Sequence, residues 1–272
     1  MGTRFYAPTR EIDRLATPEL REQFLLDDLF VAGEMRLFQT ALDRLCVGSV
    51  MPPPGGTIPA SSKSTALFCG QRETGVINIG DPGEILVGDK SYPVGRLECL
   101  YIGGGNGEVS FRSNLHGQSA FYLLSCPAHR DYPIRLAKLQ DALISEIGDP
   151  LKSSRRKIHR YIHEDGIRSC QLVMGFTELQ PGSVWNTWPP HTHLRRSEVY
   201  LYFDLGSETV MHFLGQEDCT RHLVVRDRQA VLSPPWSMHC GVGTGRYCFV
   251  WGMAGENRTF EDMDPINLEN LR

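Results

Sequence analysis

For most of its length the chain breaks its apolar residues into short runs ended by glycine or proline. Val50-Met51-Pro52-Pro53-Pro54-Gly55-Gly56 and Ile102-Gly103-Gly104-Gly105-Asn106-Gly107 are examples. Such runs are too short for helices of ordinary length, and turn residues at these intervals predict many short strands folded as an all-β sandwich or barrel. The glycine run does not read as a dinucleotide loop, because the sixth position counted from Gly103 is Glu108 and no helical pattern follows. A tight hairpin is the expected use. One segment reads differently: Thr17-Pro18-Glu19-Leu20-Arg21-Glu22-Gln23-Phe24-Leu25-Leu26 predicts a short N-terminal helix, with Thr17 as its cap, Pro18 at its first position and Glu19 complementing its dipole.

The chemistry is concentrated in Pro189-Pro190-His191-Thr192-His193-Leu194-Arg195-Arg196-Ser197-Glu198-Val199-Tyr200-Leu201-Tyr202 and in a later stretch, Ser233-Pro234-Pro235-Trp236-Ser237-Met238-His239. If residues 191 to 193 are extended, the period of two puts the imidazoles of His191 and His193 on one face and turns Thr192 away. Glu198 can return to that pair from the next stretch, and His239 supplies a fourth ligand from another strand. His-x-His followed closely by Glu, with a late proline-framed His, predicts a metal centre. A half-exposed hairpin with incidental histidines would leave Pro189-Pro190 and Pro234-Pro235, which stiffen the approach to each ligand, without a purpose. Spacing alone admits zinc, iron, manganese or nickel.

Composition closes off several other classes. Net charge is −4, with 41% hydrophobic and 22% charged residues, which offers no general affinity for nucleic acid. Met1 to Arg10 holds no apolar export core, and no stretch approaches the 18 apolar residues of a membrane span. A cytoplasmic protein is expected. Cys46, Cys69, Cys99, Cys126, Cys170, Cys219, Cys240 and Cys248 are scattered without a C-x-x-C pair, so buried thiols are expected rather than a disulfide framework. His159 and His163 stand at helical i, i+4 spacing, but Arg155, Arg156, Lys157 and Arg160 around them make a poor cation site. His212 and His222 read as strand positions on a solvated or interface face.

Residues 182 to 206 resemble the first cupin motif, a Gly, then His-x-His, then Glu, then Gly, and residues 228 to 243 resemble the second, built around Pro and one His. There are departures: eight residues separate Gly182 from His191, Trp236 stands where the second motif usually has Gly, and Gly243 where it often has Asn. A more specific resemblance spans nearly the whole chain. Asp43-Arg44-Leu45, Pro127-Ala128-His129, Cys170 to Leu179, Trp185-Asn186-Thr187, His191-Thr192-His193 with Arg195-Arg196 and Glu198-Val199-Tyr200, Gly215-Gln216, Thr220-Arg221-His222, His239 to Thr244 and Trp251-Gly252-Met253 are similar to the 5-keto-4-deoxyuronate isomerase family. The resemblance implies a tandem cupin-like β-barrel or jelly roll (a bicupin), a homo-oligomer and possible hexamer, and one Zn2+ per subunit on His191, His193, Glu198 and His239.

A faint internal echo sets Glu84-Ile85-Leu86-Val87, Tyr92-Pro93 and Gly95 to Gly103 beside Ala230-Val231-Leu232-Ser233, Pro234-Pro235 and Gly245 to Gly252. It suggests two related β domains, 1–150 without metal ligands and 151–272 with them. Ile147 to Lys157, polar and turn-rich, would link them near Pro150.

The resemblance also implies the reaction. The open-chain small-molecule uronate 5-dehydro-4-deoxy-D-glucuronate, from pectin or polyuronate breakdown, becomes 3-deoxy-D-glycero-2,5-hexodiulosonate through a metal-stabilised enediolate. With Glu198 facing the metal, Tyr200 and Tyr202 fall on the same inner face. Tyr200 and Glu178 are then the candidate proton-transfer groups, and Arg196, Gln171 and Tyr202 the candidate substrate contacts, Arg196 because a guanidinium fork matches a carboxylate. Two other classes stay in view: a metal-dependent cupin dioxygenase, which uses the same ligand set with iron and would consume dioxygen, and a non-catalytic sugar-binding cupin, which would more readily lack some of the ligands.

Overall fold

The computed structural model describes residues 3–4, 9–60, 70–256 and 259–272. Cys69 and most of Met1 to Arg10 lie outside them. The described chain is almost entirely antiparallel β-structure, and it divides into two compact units. No described helix is long and apolar enough to cross a membrane.

The first unit consists chiefly of Asp28–Ala142 with Tyr161–Met174. Its larger sheet carries, in spatial order, Met35–Thr40, Cys46–Val50, Phe121–Pro127, Arg72–Asn78, Cys99–Ile102 and Arg135–Ala137. A smaller sheet is ordered Thr57–Pro59, Val109–Ser113, Gly83–Val87 and Lys90–Val94. Residues two apart along each strand, such as Phe121 and Leu123 or Val109 and Phe111, point inward and share one core. The alternation expected of a sandwich is therefore the alternation that fills it.

The second unit comprises Arg4–Asp27, Leu143–Arg160 and Gly175–Arg272. Its seven-stranded sheet runs Leu143–Ile147, Arg156–Ile162, Val173–Leu179, Cys248–Gly255, Arg196–Phe203, Ala230–Ser233 and Leu25–Leu26. Its five-stranded sheet runs Cys219–Val225, Val210–Gln216, His239–Gly243, Trp185–Thr192 and Asp264–Pro265. All eight residues of Arg196–Phe203 are buried, so both faces of this central strand are covered.

Set side by side, the two units repeat one strand order. Arg72–Asn78 takes the place of Arg196–Phe203, and Cys99–Ile102 that of Ala230–Ser233. The topology therefore holds a repeat, but not the alignment that the sequence echo suggested: Ala230–Ser233 answers to Cys99–Ile102 and not to Glu84–Val87. Any two strand-turn-strand segments share enough pattern to align locally, and only pairing fixes which strands correspond.

Three further expectations are corrected. The chain does not divide once near Pro150: Leu143–Ile147 pairs with Arg156–Ile162, Leu143 opposite Arg160 and Ile147 opposite Arg156, so the supposed linker is a hairpin of the second unit. That pairing also makes His159 a strand residue, not part of a helical pair with His163. The α-helix spans Thr17–Phe24 with Ala16 as its N-cap, so Thr17 is helical and caps nothing. The Ala16 N–H is satisfied instead by Glu19 Oε2 at 2.7 Å. Leu20 and Phe24 are buried, each contributing about 1.5–3 kcal/mol, and Leu25-Leu26 leave the helix to pair with Val231 and Ala230.

No disulfide joins the described cysteines. Cys46, Cys99, Cys126, Cys240 and Cys248 are buried, and Cys170 and Cys219 partly so.

Candidate metal centre

The second unit gathers four ligand-type side chains at one end of a cavity. Trp185–Thr192 carries His191, with His193 just past its end; Glu198 is the third residue of Arg196–Phe203 and His239 the first of His239–Gly243. The register of Trp185–Thr192 against His239–Gly243 shifts between Asn186 and His191, and within this irregularity Thr187 holds φ at 51°. A β-branched residue seldom adopts that conformation. The irregularity brings His191 directly opposite His239, re-aiming a side chain as a bulge does.

The distances describe one meeting point. His191 Nε2 lies 3.1 Å from His193 Nε2 and 3.2 Å from His239 Nε2. Glu198 Oε2 is 3.0 Å from both His193 Nε2 and His239 Nε2. All four ligand atoms fall within 4.8 Å of one another, the one such group among the described residues. Outer partners set the tautomers: His193 Nδ1 is 2.6 Å from the Asp262 carbonyl oxygen, and His239 Nδ1 is 3.1 Å from Ser233 Oγ. A carbonyl only accepts, so His193 Nδ1 carries the proton and its Nε2 lone pair faces the common point; the Ser233 hydroxyl can accept from His239 Nδ1 in the same way, the arrangement found around metal-bound imidazoles.

Electrostatics favour the same occupant. Burial first, then neighbouring His239 and His193, pushes His191 down to about 2, so this ring is neutral, and burial lowers His239. Burial alone would raise the Glu198 carboxyl, but its interactions with His239 and His193 outweigh it and hold the group well below the usual carboxylate range. Three imidazole nitrogens and one carboxylate oxygen suit a divalent cation and leave it a formal single positive charge.

The cavity beside this group has a volume of about 270 Å³. Ile158, Phe249, Trp251 and Met253 form apolar wall, and Arg156, Thr177 and Tyr200 also line it. Tyr200 is buried; burial, then Glu198, pushes its phenol well above the ordinary value, so it stays protonated. Its ring lies 5.2 Å from that of His239.

The other residues singled out in the sequence lie elsewhere. Tyr202 shares the inner face with Tyr200 but is sealed behind it, its Oη 2.7 Å from His212 Nδ1. His212 is accordingly wholly buried and not on a solvated face, whereas His222 is exposed. Glu178 follows Thr177, which lines the cavity, and therefore turns to the opposite face, where Oε1 is 3.2 Å from His159 Nε2. Gln171 belongs to the first unit, outside any strand, and its amide donates to the Pro127 carbonyl at 2.5 Å. Arg196 is 1% exposed, its Nη1 donating to the Thr259 carbonyl at 2.6 Å and its Nη2 to those of Phe260 and Asp262 at 3.1 and 3.0 Å. Its fork holds backbone and does not face the cavity. Arg156, Ser233 and Asp262 were not anticipated; of these only Arg156 had a visible signal, the alternation Arg156, Ile158, Arg160 within a stretch whose charge suggested a linker.

Two double-sheeted units of one strand order, the second holding three imidazoles and a carboxylate at the floor of its cavity, define a tandem cupin with a metal-type centre. The model of the KduI/IolB family matches residues 61–270, and the chain belongs to that family. It is 51% identical over 271 residues to a 4-deoxy-L-threo-5-hexosulose-uronate ketol-isomerase of Opitutus terrae, covering 98% of each chain. It is 44% identical over 276 residues to the enzyme of that name from Halalkalibacterium halodurans, with both chains covered in full. Among solved structures, an IolB-like protein of Salmonella typhimurium superposes with a TM-score of 0.72 at 16% identity, over 87% of this chain and 94% of that one. An oxalate decarboxylase variant of Bacillus subtilis gives 0.60 at 11% identity, over 87% and 78%. These two likenesses concern the fold.

Proposed function

We propose that the chain is a ketol-isomerase, interconverting 5-dehydro-4-deoxy-D-glucuronate and 3-deoxy-D-glycero-2,5-hexodiulosonate, with one zinc ion per chain on His191, His193, Glu198 and His239. The observation that carries this reading is the convergence of three Nε2 atoms and Glu198 Oε2, at 3.0–3.2 Å, on the floor of a mostly apolar cavity. Full-length relatives bearing the isomerase name support the substrate class.

Turning the aldose into the ketose moves one proton from carbon 2 to carbon 1 and another between their oxygens. When bound, a divalent cation supplies Lewis-acid stabilisation of the negative charge that develops on those oxygens. The remaining work belongs to the chain. Tyr200 is the one titratable side chain lining the cavity, among the described residues, outside the four-residue group and Arg156. Its Oη–H, hydrogen-bonded with Glu198 beside the ligand group, is the chain's own group for donating to a substrate oxygen and passing a proton. The apolar wall excludes water that would otherwise exchange that proton or screen the developing charge. In this reading the enzyme acts in the cytoplasm as a homo-oligomer, and light scattering reads out the expected hexamer.

The test combines metal analysis of the purified protein with a product assay on the open-chain ketouronate. Stoichiometric zinc, and turnover abolished by chelation and by His191→Ala, are expected. Undiminished conversion after complete chelation would overturn the reading, and oxygen uptake in its place would assign a dioxygenase.

A further inference from the structure

We propose that Arg156 receives the substrate's carboxylate and thereby makes the site selective for an acid over a neutral sugar; the inference rests on the isomerase reading above. Among the described residues lining the cavity, Arg156 bears the only Lys or Arg side chain. It opens the Arg156–Ile162 strand, and Ile158, two residues on, lines the same cavity, as the period of two requires. The residue is 8% exposed. One nitrogen, Nη1, donates to the Ser154 carbonyl at 2.8 Å, and no acidic side chain among the described residues pairs with the guanidinium.

That leaves a buried cation facing an apolar chamber without a counter-charge. Glu198, the one acid lining the cavity, is engaged by His193 and His239. Burial draws the guanidinium below its ordinary value, yet an arginine stays charged. Removing one charge from water without an opposite one is costly, and an anionic ligand offsets that cost. A guanidinium fork fits a carboxylate with two parallel hydrogen bonds, and those bonds strengthen where water is excluded. The other arginines near the ligands are occupied: Arg195 is exposed and paired with Asp262, and Arg196 holds backbone carbonyls.

Arg156 lines one cavity with His191, His193 and Glu198, three of the four ligand residues, so a single acyclic acid can present carbons 1 and 2 to the group and carbon 6 to the guanidinium. A contact this far from the reacting carbons binds substrate and transition state alike, and its loss raises KM with little change in kcat.

The experiment compares wild type, Arg156→Gln and Arg156→Lys, each checked for native melting temperature and metal content. Calorimetry uses the carbon 1-reduced acid, which cannot isomerise, and its carbon 6 amide; kinetics use the ketouronate. Expected are at least a tenfold weaker Kd for the acid in Arg156→Gln, a partial loss in Arg156→Lys, a KM rise exceeding any fall in kcat, and an amide affinity within threefold across all three proteins. Equal acid affinities in wild type and Arg156→Gln, or equal losses for acid and amide, would overturn the assignment. If Arg156→Gln does not fold, the acid-to-amide ratio in Arg156→Lys decides, and an unchanged ratio overturns it. Arg156-dependent binding in a wild type that does not isomerise the ketouronate would sink the isomerase reading while leaving the carboxylate contact standing.

Discussion

Arg196 and His193 meet at one oxygen: the Asp262 carbonyl accepts from Arg196 Nη2 at 3.0 Å and from His193 Nδ1 at 2.6 Å. The arginine that the sequence suggested for substrate thus orients an imidazole of the four-residue group by fixing the backbone it leans on. Arg196→Gln should release residues 259–262 and lower metal affinity about 10–100-fold, the usual effect of losing an outer partner. Chelator competition measures it; an unchanged dissociation constant would dissociate Arg196 from the ligand set.

The first unit has a buried acid of another kind. Glu73, fully buried, accepts backbone N–H from Cys170 at 2.6 Å and from Gln171 and Leu172 at 2.8 Å, and the Tyr101 hydroxyl at 2.8 Å. With the Cys126 thiol at 3.5 Å, five donors point at these two oxygens, whereas an amide would turn its own N–H groups toward some of them. Glu73→Gln should cost about 2–4 kcal/mol in urea unfolding with metal content per folded chain unchanged. A loss below about 0.5 kcal/mol, the range of an ordinary surface substitution, would show that the carboxylate does not secure this segment.

What could be read from the sequence divides along physical lines. His191, His193, Glu198 and His239 were legible because a strand's period is rigid and few arrangements satisfy His-x-His, Glu and a late His together. Tyr200 followed from the same parity. Glu178 failed on parity, because its phase depends on which face of Val173–Leu179 turns inward, and Thr177 holds that face. Arg196 failed because polarity says that a guanidinium needs partners, not whether they are a ligand or three carbonyls. His212 and Arg156 were misjudged for a common reason: burial of a polar residue is decided by which strands pack against it, here Tyr202 for His212 and the strand that sets Ile147 opposite Arg156. Ser233 and Asp262 act through a hydroxyl and a main-chain oxygen, which no residue pattern announces.

Gly175 marks where the sheet leaves no room. A Cβ there would sit 2.2 Å from the His159 carbonyl oxygen and 2.5 Å from Trp251 Cζ2. Trp251 lines the cavity and donates its Nε1–H to Thr177 Oγ1 at 3.1 Å, so moving the indole disturbs two lining residues together. Gly175→Ala should destabilise by about 1–3 kcal/mol and raise KM. Thermal unfolding and steady-state kinetics check it, and wild-type values in both would mean that backbone and indole accommodate the methyl without displacement.

His212 contributes to the acid side of the stability curve. Burial first, then neighbouring His239, holds its pKa down to about 3, against an ordinary value of 6.5. Tyr202 keeps its proton, because burial raises the phenol, and so its Oη–H donates to His212 Nδ1 and the ring is neutral. The unfolded chain therefore takes up a proton below pH 6.5 that the folded chain refuses until about pH 3. Stability from this group is fully present above pH 6.5 and declines as pH falls through that window, by up to ~1.4 kcal/mol per pH unit. Urea unfolding of chelator-treated protein between pH 7 and 4 should show that slope, and His212→Asn should flatten it by about one proton. An identical pH dependence in the two proteins would mean that His212 titrates as it does in the unfolded chain.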